Sequence, residues 1–163
     1  MIKAILSTSG VRAVRRCRHV VLWIKAGGHL AVGREFVVGP RARVARGASI
    51  RAGSRVNIGS DFVTHDHVEI GNDVMISSSV SFIGNDHSFD ELGMTIQDQK
   101  LLPRALVRLE GDNLIGFGTI ILGNVTIGQG TIVGAGSLVT RDLPPNTVCV
   151  GRPARPIRNR AEK

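Results

Sequence analysis

The chain has 163 residues, with 20 glycines, no tyrosine and a formal net charge of +8 at pH 7. Such a length predicts a single domain, and the scarcity of aromatic residues argues against a base-stacking surface for nucleic acid. The glycines follow no Gly-X-Y period, which excludes collagen. The basic balance instead favours an anionic partner, such as a phosphorylated cofactor or substrate, or a membrane surface.

The two cysteines, Cys17 and Cys149, form no metal-binding or redox motif. Two cysteines without such spacing do not indicate a disulfide framework, so we expect a reducing compartment. The longest early apolar run, Val20 to Ile24, is too short for a signal peptide or a membrane span. These features together predict a cytoplasmic protein.

Residues 1–29 predict a basic helical cap. Between about Ser9 and Lys25, apolar and arginine side chains alternate with the period of an amphipathic helix. One interpretation is that this helix covers the open end of the domain that follows. The other is peripheral contact with an anionic membrane at its inner face. The sequence leaves both interpretations open.

From residue 30 to residue 150, large aliphatic residues recur every six positions. A helix repeats at 3.6 and a strand at 2, so this period predicts a coil of short straight sides with glycine at tight corners. The final block opens its sixes with Ile115, Ile121, Ile127, Val133 and Val139. An earlier block runs through Val32, Val38, Val44, Ile50 and Val56. A slip of two positions is predicted next, since Ile58 begins a new register.

The spacing from Phe82 to Ile115 is 33 residues, which is not a multiple of six. Leu109 already belongs to the final register, so the sequence predicts an inserted loop at about 84–105. A long loop without its own repeat is usually functional. Residues 151–163 predict a basic tail.

The repeat from Ile115 to Pro144, together with the exit segment from Val150 to Ile157, resembles the hexapeptide-repeat acyltransferases, in particular the sugar O-acetyltransferase branch with its maltose, galactoside and polysaccharide acetyltransferases. The resemblance implies an all-β, left-handed parallel β-helix and a homotrimer. It also implies acetyl-CoA as acyl donor and a sugar or glycan hydroxyl as acceptor, in surface polysaccharide biosynthesis.

His87 is the candidate general base, because the resemblance places the family's catalytic histidine on the inserted loop and imidazole titrates near neutrality. Asp86 and Asp90, with Glu91 as a further choice, are candidates to orient its ring. Asn85 is expected to contact the substrate. The plain alternative is that His87 is only a solvated loop side chain.

His65 and His67 are expected at the acceptor site or simply at a corner of the coil. A zinc site of the γ-carbonic anhydrase type is the rival interpretation, and it needs three converging histidines. In that branch the close pair lies downstream of the single histidine, whereas here it lies upstream. No metal site is therefore predicted.

The resemblance also implies a coenzyme groove between neighbouring subunits. Backbone groups of five residues would bind the pantetheine arm and one amide would stabilise an oxyanion: Gly116, Phe117, Gly118, Gly134 and Ala135. Four further residues would bind the nucleotide phosphates: Thr140, Arg141, Arg155 and Arg158. The alternative is that the glycines only form corners and the arginines are solvated.

Three other functions stay open at this stage. A sugar N-acetyltransferase would use the same base and groove, a carbonic-anhydrase-like enzyme would need zinc, and a scaffold would need neither. Serine acetyltransferase is disfavoured, because that family's larger N-terminal helical domain does not fit into about 30 residues.

Overall fold

The computed structural model describes residues 29–84 and 86–162. The described chain coils through three sheets, and each complete coil adds one short strand to each sheet. The first sheet holds β1 (Leu30–Val32), β4 (Ile50–Ala52), β7 (His67–Ile70), β10 (Leu106–Leu109) and β13 (Val125–Ile127). The second holds β2 (Val37–Val38), β5 (Asn57–Ile58), β8 (Met75–Ile76), β11 (Leu114–Ile115), β14 (Ile132–Val133), β16 (Thr147–Gly151) and β17 (Ala154–Asn159). The third holds β3 (Arg43–Val44), β6 (Val63–Thr64), β9 (Ser81–Ile83), β12 (Ile120–Leu122) and β15 (Leu138–Val139).

Strands of successive coils pair in parallel, and among the described strands only β17 runs antiparallel, against β16. The predicted fold class is therefore confirmed as an all-β parallel solenoid, consistent with a left-handed β-helix. The chain turns a corner between successive sheets. We call these the first corner (first to second sheet), the second corner (second to third sheet) and the third corner (third back to first sheet).

The core is a stack of inward aliphatic side chains. In the upper coils Val107 pairs with Val125, 18 positions later, and both are buried. Three sides of six residues return each inward side chain to the position above its predecessor, which explains the period of six. Phe62 and Phe82 fill the third side with an edge-to-face pair whose ring centroids lie 5.2 Å apart.

The two-residue slip lies elsewhere than the sequence predicted. Arg43 pairs with Val63, 20 positions later, whereas Ile50 pairs with Val68, 18 positions later. The two extra residues therefore lie between Val44 and Ile50, at the third corner, and not after Val56. Counting sixes misses this, because Ile50 and Val56 point inward in either register.

The inserted segment leaves from the third corner after β9 ends at Ile83, and it returns where β10 begins at Leu106. Its two limbs form a short antiparallel neck with a bridge between His87 and Leu101. The amide of Ser88 donates to the Lys100 carbonyl at 2.8 Å, next to this bridge. A short 3₁₀ helix, Ile96–Asp98, lies beyond the neck.

Two ion pairs connect the lower coils at their corners. Arg41 and Asp61 lie 2.6 Å apart at the second corner, and Arg55 bonds Asp73 at the first corner. The hydrogen bond from each arginine lowers the pKa of its aspartate carboxyl. Both pairs are solvent-exposed, so their contribution to stability is small.

The outward faces of the sheets differ in polarity. The first sheet presents charged side chains, including Glu69 and Arg108, which form an ion pair at 2.9 Å. The second sheet presents apolar side chains, with Met75 paired beside Leu114 and both exposed. The predicted helical cap lies outside the described residues apart from His29. Within the described ranges, no helix is long and apolar enough to cross a membrane.

The stacked phenylalanines lead to a first prediction. Phe82→Ala should lower the free energy of unfolding by about 3–5 kcal/mol, because it leaves a cavity beside Phe62 in a side that cannot collapse. Urea unfolding measures this change. The matched control is Phe89→Ala on the inserted loop, where the ring is 67% exposed; we expect a change within about 0.5 kcal/mol. Equal losses in the two variants would contradict this description of the core.

Candidate active site

A buried aspartate closes the neck of the inserted loop. Asp66 lies at the third corner, fully buried, directly below the coil from which the loop leaves. Its Oδ1 accepts a hydrogen bond from the Ala105 amide at 3.0 Å. A Cβ built on Gly84 would lie 2.6 Å from Oδ2, so the carboxylate also packs against the outgoing limb. One side chain thus contacts both limbs of the neck.

The aspartate itself is held by its neighbour. Thr64 Oγ1 donates to the Asp66 carbonyl and accepts from the Asp66 amide, each at 3.1 Å. Within the described residues, Asp66 Oδ2 has no hydrogen-bond partner. Such an atom is unusual, because buried polar groups are nearly always paired.

Arg104 fastens the returning limb of the loop to the lower coils. Its guanidinium donates to the His65 carbonyl and, at 2.7 Å, to the Arg46 carbonyl. Both acceptors lie at the third corner, so the loop is attached there by Asp66 and by Arg104.

His87 lies on the neck, half-buried. Its Nδ1 is 2.9 Å from the backbone carbonyl of Gln99 on the opposite limb. A carbonyl oxygen can only accept, so Nδ1 carries the proton in this bond. The neutral ring then keeps its lone pair on Nε2, which is the form that a general base requires.

The sequence predicts that a carboxylate orients the His87 ring, whereas the structure shows a backbone carbonyl in that position. Among the described side chains, no carboxylate bonds to the ring, and the side chains of Asp86 and Asp90 are exposed. Asp86 contributes only its backbone carbonyl, which accepts from the Leu102 amide at 2.7 Å across the neck. A backbone carbonyl leaves no residue-type signal, so sequence reasoning could not find this orienting group.

Gln99 holds the carbonyl in place, and sequence reasoning missed it. Its side chain is only 6% exposed and bonds across the loop. Nε2 donates to the carbonyls of Glu91 and Met94 at 3.1 and 3.3 Å, and Oε1 accepts from the Glu91 amide at 3.2 Å. Gln99 is therefore a positioning residue, which acts on His87 through the fold of the loop.

The predicted glycines of the coenzyme groove stack at the second corner. A Cβ on Gly116 would lie 2.5 Å from the Ala135 nitrogen, so the two corners are in direct contact. Four amides here already donate to backbone carbonyls at 2.7–3.1 Å: those of Gly116, Gly118, Gly134 and Gly136. Among the described residues, the amides of Phe117 and Ala135 have no acceptor. These two are the donors at this corner that an oxyanion or a ligand carbonyl can use.

The predicted phosphate-binding residues are spread over the upper coils. Thr140 and Arg141 are exposed at the third corner. Arg155 and Arg158 lie on β17, where Arg155 bonds the Ala154 carbonyl at 2.7 Å and Arg158 bonds carbonyls of the C-terminal turn.

Arg152 reaches the second corner, although the sequence suggested only a basic tail. Its Nε donates to the Gly136 carbonyl at 2.7 Å, beside Phe117 and Ala135. No spacing rule marks it, because β16 and β17 form a hairpin that brings this arginine to the corner.

The candidate residues therefore form two groups on one chain. His87, Thr140 and Arg141 belong to the third corner, and the glycine corner with Arg152 belongs to the second. The third sheet separates the two groups. A single chain does not bring the candidate base next to the candidate oxyanion donors.

The two remaining histidines lie below the loop. His65 is exposed, and its carbonyl accepts from Arg104. His67 is half-buried, with Nδ1 2.8 Å from Ser49 Oγ. Within the described ranges, no group of three or more His, Cys, Asp or Glu residues could hold a metal ion. Asn85 lies outside the described residues.

A model of the family described as bacterial transferase hexapeptide (six repeats) matches residues 107–141. This part of the chain therefore matches the hexapeptide-repeat transferases. The match agrees with the resemblance drawn from the repeat, and the relatives include galactoside and maltose O-acetyltransferases. The chain spans 42%, 44% and 62% of the length of three curated relatives, all of them acetyltransferases by description.

Galactoside O-acetyltransferase of Escherichia coli is 33% identical over 130 residues, which cover 74% of this chain and 62% of that protein. Serine acetyltransferase of Bacillus licheniformis is 28% identical over 173 residues, covering 99% of this chain and 70% of that protein. A hexapeptide-repeat containing acetyltransferase of Vibrio cholerae, solved with acetyl coenzyme A, has a TM-score of 0.74 at 27% identity. That match covers 96% of this chain and 92% of the other.

The role of Gln99 can be tested without an activity assay. Gln99→Ala removes three hydrogen bonds inside the loop, so we expect amide hydrogen exchange at Ser88 and Leu102 to speed up by roughly tenfold. The melting temperature should hardly change, because the loop lies outside the core. Gln97→Ala, which alters an exposed side chain of the same loop, is the matched control. Unchanged exchange in Gln99→Ala would show that the loop does not depend on this side chain.

Proposed function

We propose that this protein is an acetyl-CoA-dependent O-acetyltransferase acting on a sugar or glycan hydroxyl, with His87 as general base. The observation that carries the proposal is the bond from Nδ1 of His87 to the Gln99 carbonyl. It leaves the Nε2 lone pair for a substrate proton. The match of residues 107–141 to the family model and the acetyltransferase relatives support the choice of acyl transfer.

In the proposed reaction, Nε2 of His87 takes the proton of the acceptor hydroxyl while its oxygen attacks the thioester carbonyl. The tetrahedral oxyanion then collapses, the carbon–sulfur bond breaks, and the thiolate leaves. The imidazolium returns its proton to this thiolate, so the cycle ends with an acetyl ester, free coenzyme A and a neutral histidine.

The second corner supplies the oxyanion donors and one arginine. The free amide of Phe117 or Ala135 would stabilise the oxyanion, since a fixed backbone donor needs no reorganisation. Arg152, placed beside them, would contact a phosphate of the coenzyme, in addition to the predicted residues Thr140, Arg141, Arg155 and Arg158. The structure of a Vibrio cholerae relative with acetyl coenzyme A supports this choice of donor.

A homotrimer would join the two groups of candidates. The base and the oxyanion donors lie on different corners of one chain, so a coenzyme between them would bridge two copies. Exposed apolar side chains on the second sheet suit burial in such an interface, among them Met75 and Leu114. Closed threefold symmetry would create three equal sites.

The acceptor is the least constrained part of the proposal. Galactoside and maltose O-acetyltransferase relatives support a sugar, and surface polysaccharide biosynthesis is the proposed setting. Serine acetyltransferase relatives make serine the second candidate, because the match extends over 99% of this chain. A sugar amine would use the same base. Cytoplasmic placement, with residues 1–29 against an anionic membrane, stays a prediction.

The test is thiol release from acetyl-CoA on a panel of sugars, sugar amines and serine. We expect His87→Ala to lower kcat by about 10²- to 10⁴-fold, as loss of a general base does, while acetyl-CoA binding persists. Lys100→Ala, an exposed change on the same loop, should keep the wild-type rate. Undiminished turnover in His87→Ala would remove this residue from the chemistry. A wild-type protein that neither binds nor consumes acetyl-CoA would overturn the proposed function.

A further inference from the structure

A hollow lies at the third corner, below the inserted loop. We call it the basic hollow, and its lining includes His29, Gly47, Ser49, Arg51 and His67. Ser49, Arg51 and His67 also line its continuation, together with Glu69 and with Leu106, the first residue of β10 after the loop. The hollow therefore extends along the edge of the first sheet to the base of the segment that carries His87.

Two side chains at the centre of the hollow, those of Ser49 and His67, are hydrogen-bonded to each other. Ser49 Oγ lies 2.8 Å from His67 Nδ1. When Ser49 donates this bond, the neutral ring carries its proton on Nε2, and a protonated ring also keeps a donor there. The Nε2 of His67 can thus donate to an anion in both protonation states.

The charge of Arg51 is not balanced by an ion pair within the described residues. Its neighbour on the ladder is Glu69, which bonds Arg108 instead. Both Nε and Nη2 of Arg108 donate to one oxygen of that carboxylate, at 3.0 and 2.9 Å. An exposed arginine beside an already paired glutamate is available to an external anion.

Arg104 adds a second positive charge at the rim. A Cβ built on Gly47 would lie 3.6 Å from both Nε and Nη2 of Arg104, so the guanidinium covers this glycine. The side-chain bonds of Arg104 go to two backbone carbonyls, those of His65 and Arg46, which are neutral. Among the described residues that line the hollow around His29 and Gly47, none carries a carboxylate.

We infer that the basic hollow binds an anionic group of the acceptor, a phosphoryl or a carboxylate, while the acceptor hydroxyl reaches His87. This inference rests on the proposed acetyltransferase function. The rim of the hollow lies close to the candidate base. Arg104 at the rim follows Leu101, the bridge partner of His87, by three residues, and three residues span at most about 11 Å. The acceptor would then be a phosphorylated or acidic sugar rather than a neutral one.

The anion in the hollow is distinct from the phosphates of the coenzyme. The free amides and Arg152 that favour coenzyme binding lie at the second corner, whereas the hollow lies at the lower end of the third. Competition between the two ligands therefore distinguishes a phosphorylated acceptor from coenzyme phosphates.

The experiment is calorimetric titration of the full chain with glucose 1-phosphate, glucuronate, glucose and inorganic phosphate. We expect the anionic sugars to bind more tightly than glucose, and Arg51→Gln to weaken the preferred anion by about tenfold, as loss of a charge-assisted bond does. Arg34→Gln is the matched control. It removes the same charge from the neighbouring coil, outside the hollow. Wild-type affinity in this control, with loss in Arg51→Gln, supports the inference.

Three outcomes overturn it. The first is equal weakening of binding in both variants, which would reflect net charge alone. The second is binding of glucose as tight as that of any anion. The third is displacement of the bound anion by coenzyme A. Turnover of acetyl-CoA is measured separately, so the two proposals can fail independently. Anion binding that depends on Arg51, in a protein without acetyl-CoA turnover, would remove the acceptor assignment and keep an anion site.

Discussion

The whole architecture depends on the return of each inward side chain to the position above its predecessor. Eighteen residues, in three sides of six, achieve this return in the upper coils, as the pairing of Val107 with Val125 shows. A side cannot gain a residue without turning its inward set outward, because side chains alternate along a strand. Extra residues are therefore tolerated only at corners, where no ladder has to be maintained.

Both departures that lengthen a coil beyond 18 residues lie at the same corner. The two additional residues before Ile50 and the inserted segment between Ile83 and Leu106 leave the coil at the third corner. The coil between these departures contributes Asp66, whose buried carboxylate contacts both limbs of the loop. Burial of a carboxylate is costly unless it is hydrogen-bonded, so this residue fixes the neck at the expense of some stability. The candidate base and the basic hollow therefore both lie at the third corner, the irregular edge of an otherwise regular solenoid.

The features that follow from the repeat, such as the position of the inserted loop, were predictable from the sequence. Breaks in the period of six placed an insertion at about 84–105, and the flanking strands end at Ile83 and begin at Leu106. The slip was located wrongly, because Ile50 and Val56 face inward in both registers. The carbonyl of Gln99 was missed because backbone groups are present in every residue, and Arg152 was missed because its place depends on a hairpin. Resemblance alone grouped the coenzyme residues, and the fold divides them between two corners.

The central claim is that the loop holds His87 with its proton on Nδ1 and a free lone pair on Nε2. Nitrogen-15 NMR of the labelled protein, with His87→Gln to assign the ring signals, reports the tautomer directly. The bond to the Gln99 carbonyl predicts a neutral ring protonated at Nδ1 and unprotonated at Nε2. A neutral ring protonated at Nε2 would contradict the account, because the Gln99 carbonyl would then receive no hydrogen bond from the ring and the nitrogen proposed to act as base would already carry a proton.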